Sequence, residues 1–309
     1  MENTEAPAAR CEGAPDTVSR LSPSRADGAA FSAVTPQGDD CCTSCRDGSQ
    51  DVPGSGSYVY ALGRVTARIP RPAVEKEFAQ AIGRADASGK TDRQAFHDVL
   101  KQRENRYLAR QLCWLFTVQG LETYLLQPRE SADLDVLIEA AGGPESLPWM
   151  SLVIGERGSI APPGLCNGLT LPIVTCDQIY SFDRGSLLQS IPRPDNAPPE
   201  FDATASELLE RIMLMTDNAG ATDEHRALNY LVMRYPAMYA AVASAHQRNE
   251  SLSSVDVRAS TLSATRTIVD VILSFTHRTT DVVDKSFVRV DVTEEFPFLV
   301  TKMSPYYDR

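Results

Sequence analysis

In SYVYALGRVTARIP, Tyr58, Tyr60 and Leu62 take alternate positions, and Val65, Ala67 and Ile69 do so again after Gly63. Period-two alternation predicts a strand, with a bulge where the glycine shifts the phase. Pro72 then opens a helix whose apolar positions, Val74, Phe78, Ala81, Ile82 and Ala85, follow helical spacing. Thr91 with Gln94 three residues on forms a capping box for a second helix carrying Phe96, Val99 and Leu100. Two apolar runs flank Gln119-Gly120, which predicts a hairpin. A short helix from Ser131 and strands at 151–155 and 171–182 follow, the strands separated by the Pro- and Gly-dense loop IAPPGLCNGLTLP. Beyond a Pro-rich loop at 192–199, Leu208, Leu209, Ile212 and Met215 mark a helix. Two further helices meet near Pro236, since proline disrupts the turn before it. The last 55 residues are β, with a hairpin turning at 278–284 and a strand at 296–301.

Strands and helices fall in blocks, which predicts an α+β fold with a mixed or antiparallel sheet and a helical block. Residues 58–309 read as one domain, with both ends of that span feeding one sheet. Residues 1–57 differ sharply, with few large apolar side chains and four Arg against nine Asp and Glu. Such a segment buries too little apolar surface to offset the entropy of ordering, and it reads as a disordered, acidic, linker-like tail.

The whole chain carries 30 Lys and Arg against 41 Asp and Glu, a net charge of −11. The densest basic stretch, Lys101 to Arg110, is interrupted by Glu104 and reads as the polar face of a helix, which argues against nucleic acid. No apolar run is long enough to cross a membrane, and the N-terminus lacks a basic segment followed by an apolar one. A cytoplasmic protein is the expectation. Seven cysteines, an odd number, make a disulfide framework unexpected, and Cys113, Cys166 and Cys176 read as small buried hydrophobes.

No nucleophile elbow, phosphate loop or dinucleotide fingerprint is present in a suitable context. The four histidines show no metal-ligand spacing. Asp217, Asp223 and His225 form the densest polar cluster. They are catalytic candidates at a loop–helix junction, although Thr222 as a cap with acidic residues in the first turn accounts for most of it. Trp149, Asp177, Asp183, Tyr306 and Tyr307 are candidate edges of a peptide groove. Cys42 and Cys45 make half a zinc site in DDCCTSCRDG, completed by Cys113, Cys166 or His225, or by a second chain in a homodimer. The same CCTSC run holds only residue types that peptide heterocyclases modify.

Several long blocks, among them YVYALGRVTARIPRPAVEKEFAQA, SIAPPGLCNGLTLPIV, MTDNAGATDEHRALNYLVMRYPAMYAA and VRVDVTEEFPFLVTKMSPYYDR, carry a further signal. Over nearly all of 58–309 the sequence resembles the C-terminal domain of the cyanobactin maturation protease PatG, which also occurs on PatA. The resemblance implies work on ribosomal, post-translationally modified peptides, with a precursor peptide or maturation enzymes as partners. It supplies no catalytic residues. Residues 1–57 contain no histidine, so no Ser-His-Asp arrangement comes from them. The expectation is therefore an accessory binding or scaffolding domain without protease activity. The alternatives are a peptide-modifying enzyme built on Asp217, Asp223 and His225, with Cys166, or a zinc-binding structural module.

Overall fold

The computed structural model of the chain describes residues 57–84, 90–143, 149–193, 197–215 and 217–307. The expectation of a disordered tail and the Cys42–Cys45 half-site both fall outside these residues. Strand β1 (Ser57–Arg68) leads into helices α1 (Pro72–Arg84) and α2 (Asp92–Lys101), then a 3₁₀ turn (Arg103–Asn105) and the one-turn helix α3 (Arg106–Ala109). Lys101 to Arg110 is thus a broken series of turns and not one helix. Strands β2 (Cys113–Val118) and β3 (Leu121–Pro128) form the hairpin expected at Gln119-Gly120, where φ is 51° and 82°. Helix α4 (Asp133–Ala141) comes next, followed by β4 (Trp149–Ile160) and β5 (Pro172–Asp183). These strands close a barrel in the order β1-β2-β3-β5-β4, with β3 and β5 parallel and the other pairs antiparallel.

Both faces of β1 are buried. Val59, Ala61 and Val65 point into the barrel core with Phe116, Tyr124, Leu126 and Val153, where Val74 and Phe78 of α1, Val99 of α2 and Leu137 of α4 join them. Tyr60 and Leu62 point outward into a second core. The bulge expected at Gly63 does not form; β1 pairs with β4 up to that residue and with β2 from Arg64 onward. Glycine serves close approach there, since a Cβ would stand 2.3 Å from the Thr117 carbonyl oxygen. The capping box on α2 is present in both directions, Thr91 accepting from the Gln94 N–H and Gln94 from the Thr91 N–H.

After the short helix α5 (Arg184–Ser190) the chain builds α6 (Phe201–Met213), α7 (Asp223–Arg234) and α8 (Pro236–Gln247), with Pro236 at the first position of α8. A second, antiparallel sheet follows: β6 (Glu250–Ala259), β7 (Ile268–His277), β8 (Val283–Asp291) and β9 (Phe298–Pro305), in that order. The molecule is α+β, but the expectation of one sheet fed by both ends is corrected. Ser57–Arg68 belongs to the barrel and, among the described residues, the C-terminal strands pair only with one another. Two sheets can nevertheless share one core, because α6, α7 and α8 bury their apolar faces against both. That core joins Leu208, Leu231 and Tyr239 to Val271 and Val288 of the second sheet, and to Tyr60, Leu152 and Ile154 on the outer face of the barrel.

Candidate functional site

A cleft of about 850 Å³ opens on the barrel. Its floor is apolar: Leu112 and Trp114 beside the start of β2, Leu125 and Leu126 of β3, Leu134 of α4 and Ile173 of β5. Pro70, Arg71 and the segment Ala109–Gln111 form one wall, from the connection between β1 and β2. Pro163–Gly168, from the connection between β4 and β5, forms the other. That second wall is a compact loop. Ala161 N–H bonds Leu171 O at 2.8 Å across its base, and Gly168 N–H bonds Pro163 O at 2.8 Å within it. Asn167 and Gly168 turn the tip with φ of 51° and 89°, the left-handed region that Asn and Gly tolerate.

Among the described residues, the lining contains two cations, Arg71 and Arg110, and no carboxylate. Both guanidiniums are exposed and neither has an ion pair among the described residues. Gln111, Gln127 and Asn167 add neutral polar groups at the rim. Trp114, the one aromatic among the described lining residues, is buried and donates its Nε1–H to Ala109 O at 3.1 Å. Chemically, the site offers an apolar bed beside two donors suited to an anion.

Cys113 and Cys166 are joined by a disulfide, their Cα atoms 5.9 Å apart. This corrects the expectation of two independent buried thiols, and of either as a spare zinc ligand to Cys42 and Cys45. Residues 53 apart in sequence meet because the Pro163–Gly168 loop folds back over β2, which spacing alone does not reveal. A sulfur held in a disulfide is not the thiolate that zinc requires. Among the described residues, no group of three or more His, Cys, Asp or Glu side chains could hold a metal ion. Cys176 is a free, buried thiol whose pKa burial pushes up to about 12.

The sequence-predicted candidates lie elsewhere. Thr222 caps α7 by accepting from His225 N–H, as expected. Asp217, Asp223 and His225 share no hydrogen bond with one another; Asp223 sits 3.6 Å from buried Arg226 instead. Burial holds the His225 imidazole below its usual pKa, and its Nδ1 is buried without a partner among the described residues. The loop before α7 serves as a joint. Asn218 and Asn229 exchange side-chain hydrogen bonds, Asn229 donates to Tyr60 O at 2.8 Å, and Tyr60 N–H donates to Gly220 O at 2.8 Å. Of the aromatic and acidic candidates, Trp149 and Asp183 face each other across β4 and β5, with Trp149 donating to Ala140 O and Asp183 capping α5. Asp177 pairs with Arg129 at 2.7 Å, while Tyr306 stacks edge-on with Phe287 and Tyr307 is exposed at the far end of β9. They form three separate places. The cleft was missed because its parts come from six stretches of chain, although the dense PPGLCNG loop was its one visible trace.

The strand order, the single parallel pair β3–β5 and the helix between β3 and β4 are those of an OB-type barrel, elaborated by a helical block and a second sheet. The family model described as PatG C-terminal matches residues 196–306 of the chain. A solved structure titled "PatG Domain of Unknown Function" shares the fold, with a TM-score of 0.65 and 20% sequence identity over 82% of this chain and 99% of that one. No curated protein matches the chain. The family match covers the helical block and the second sheet, so the cleft lies on the part of the fold outside it. Among the described residues, no helix is long and apolar enough to cross a membrane.

Proposed function

We propose that this domain is a non-catalytic binding module, and that its cleft takes a peptide segment presenting an apolar side chain next to a carboxylate. The observation that carries this reading is the cleft's lining: among the described residues, an apolar floor with two unpaired guanidiniums and no acid. Its location supports the reading by fold-level analogy, since OB-type barrels take extended ligands on the β2–β3 face between the first and fourth connections. The lack of an exposed aromatic among the described lining residues favours peptide over nucleic acid, because single strands are held by base stacking. The resemblance to the PatG C-terminal domain suggests as ligand a precursor in the maturation of ribosomal peptides, or the tail of a maturation enzyme.

Calorimetric titration of the full chain with two matched apolar peptides, one ending in a free carboxylate and one amidated, tests the assignment. The carboxylate should improve binding by about tenfold or more, as expected for a charge-assisted pair. Arg71→Ala with Arg110→Ala should abolish that difference. Equal binding of both peptides, or preferential binding of a single-stranded oligonucleotide, would remove the reading.

A further inference from the structure

We infer that the Cys113–Cys166 disulfide is a redox-operated latch on the cleft, an inference that rests on reading the cleft as the binding site. Both cysteines line the cleft, Cys113 at the start of β2 and Cys166 near the middle of the opposite wall. The disulfide is the covalent tie between that wall and the barrel. Otherwise the loop is held by turn bonds within itself and by Leu169 and Leu171 against a small cluster around Leu115 and Leu125. Its tip, with Pro163, Leu165 and Asn167, is exposed. Neither cysteine belongs to the two large cores that carry the fold. Breaking the bond therefore frees one wall and leaves both cores packed.

The chemistry is thiol–disulfide exchange with a dithiol reductant. A thiolate of the reductant attacks one sulfur to give a mixed disulfide, and the second thiol of the reductant resolves it. Two electrons and two protons pass to Cys113 and Cys166, and the reductant leaves as its own disulfide. Both side chains are otherwise buried, so the reductant approaches through the cleft, where a bound ligand stands in its way. Coupling runs in both directions: reduction weakens binding, and occupancy protects the disulfide.

The test uses the full chain, oxidised and dithiothreitol-treated, with hydrogen–deuterium exchange and the apolar anion 8-anilinonaphthalene-1-sulfonate as probe. Reduction should raise exchange in 161–171, leave α6–α8 unchanged and weaken probe binding by about fivefold or more. The probe should also slow reduction. A Cys113→Ser, Cys166→Ser variant should reproduce the reduced state, which separates this pair from the other cysteines; should it fail to fold, treated wild type remains the readout. If exchange rises on reduction but the probe binds neither form, the latch stands and the ligand chemistry proposed for the cleft fails. Unchanged exchange in 161–171 overturns the latch, as does alkylation of Cys113 and Cys166 in protein never exposed to reductant.

Discussion

Glu295 shows how the fold can set the protonation of one side chain. It lies between β8 and β9 with one carboxyl oxygen buried and without a partner among the described residues. Burial, then a hydrogen bond to Asp177 and repulsion from it, push its pKa up to about 7, with Glu156 acting in the same sense and Arg129 against. A carboxyl held above its unfolded value favours the protonated folded state. Its contribution to stability is therefore complete below the unfolded pKa, about 4.5, and is lost as pH rises through 7. His97 and His225, whose pKa values burial lowers, work in the opposite direction. The readout is accordingly the difference between wild type and Glu295→Gln in denaturant midpoint from pH 5 to pH 8. Wild type should lose ground to the variant as pH rises; a constant difference across that range contradicts the assignment.

At the scale of elements, the joint between the barrel and the helical block depends on a loop lying almost on the backbone of β1. Gly220 has a φ of 71°, and a Cβ there would stand 2.5 Å from Tyr60 O and 2.6 Å from Ala61 Cα. Gly220→Ala combines left-handed strain with overpacking, and should cost about 2–4 kcal/mol in equilibrium unfolding. A change under about 0.5 kcal/mol, the range of an inconsequential surface substitution, would show that the loop gives way freely. Neither φ nor this contact is legible in the sequence. What is legible is local chemistry. Thr91 and Gln94 announce their capping box, Pro236 the break between α7 and α8, and alternation in 267–275 the strand β7. Partnership is not: β6 alternates weakly because most of it is polar, and α5 is a short helix without a fully buried residue. The cleft is the extreme case, as it consists of partnerships alone.

For the whole molecule, the shared core makes the barrel and the second sheet mutually dependent. Tyr60, Leu62, Met150, Leu152 and Ile154 coat the outer face of β1 and β4, and α6–α8 cover them. Arg226, almost fully buried on α7, binds the chain on the other side, donating to the carbonyls of Val292 and Glu294 beyond β8. A fragment ending after β5 would keep every strand of the barrel but expose that row of five side chains as a contiguous apolar patch. Patches of this kind drive association. Expressed alone, residues 57–191 should therefore elute as oligomers or aggregate, whereas the full chain unfolds in one transition that includes both cores. Size-exclusion chromatography of the fragment, with Leu62→Lys and Leu152→Lys introduced to break the patch, checks the argument. Restored monomers carrying a β-rich circular dichroism spectrum would show the barrel to be complete in itself and the helical block to act as its cover. A fragment monomeric without these changes would mean that the outer face of β1 and β4 contributes little to holding the molecule together.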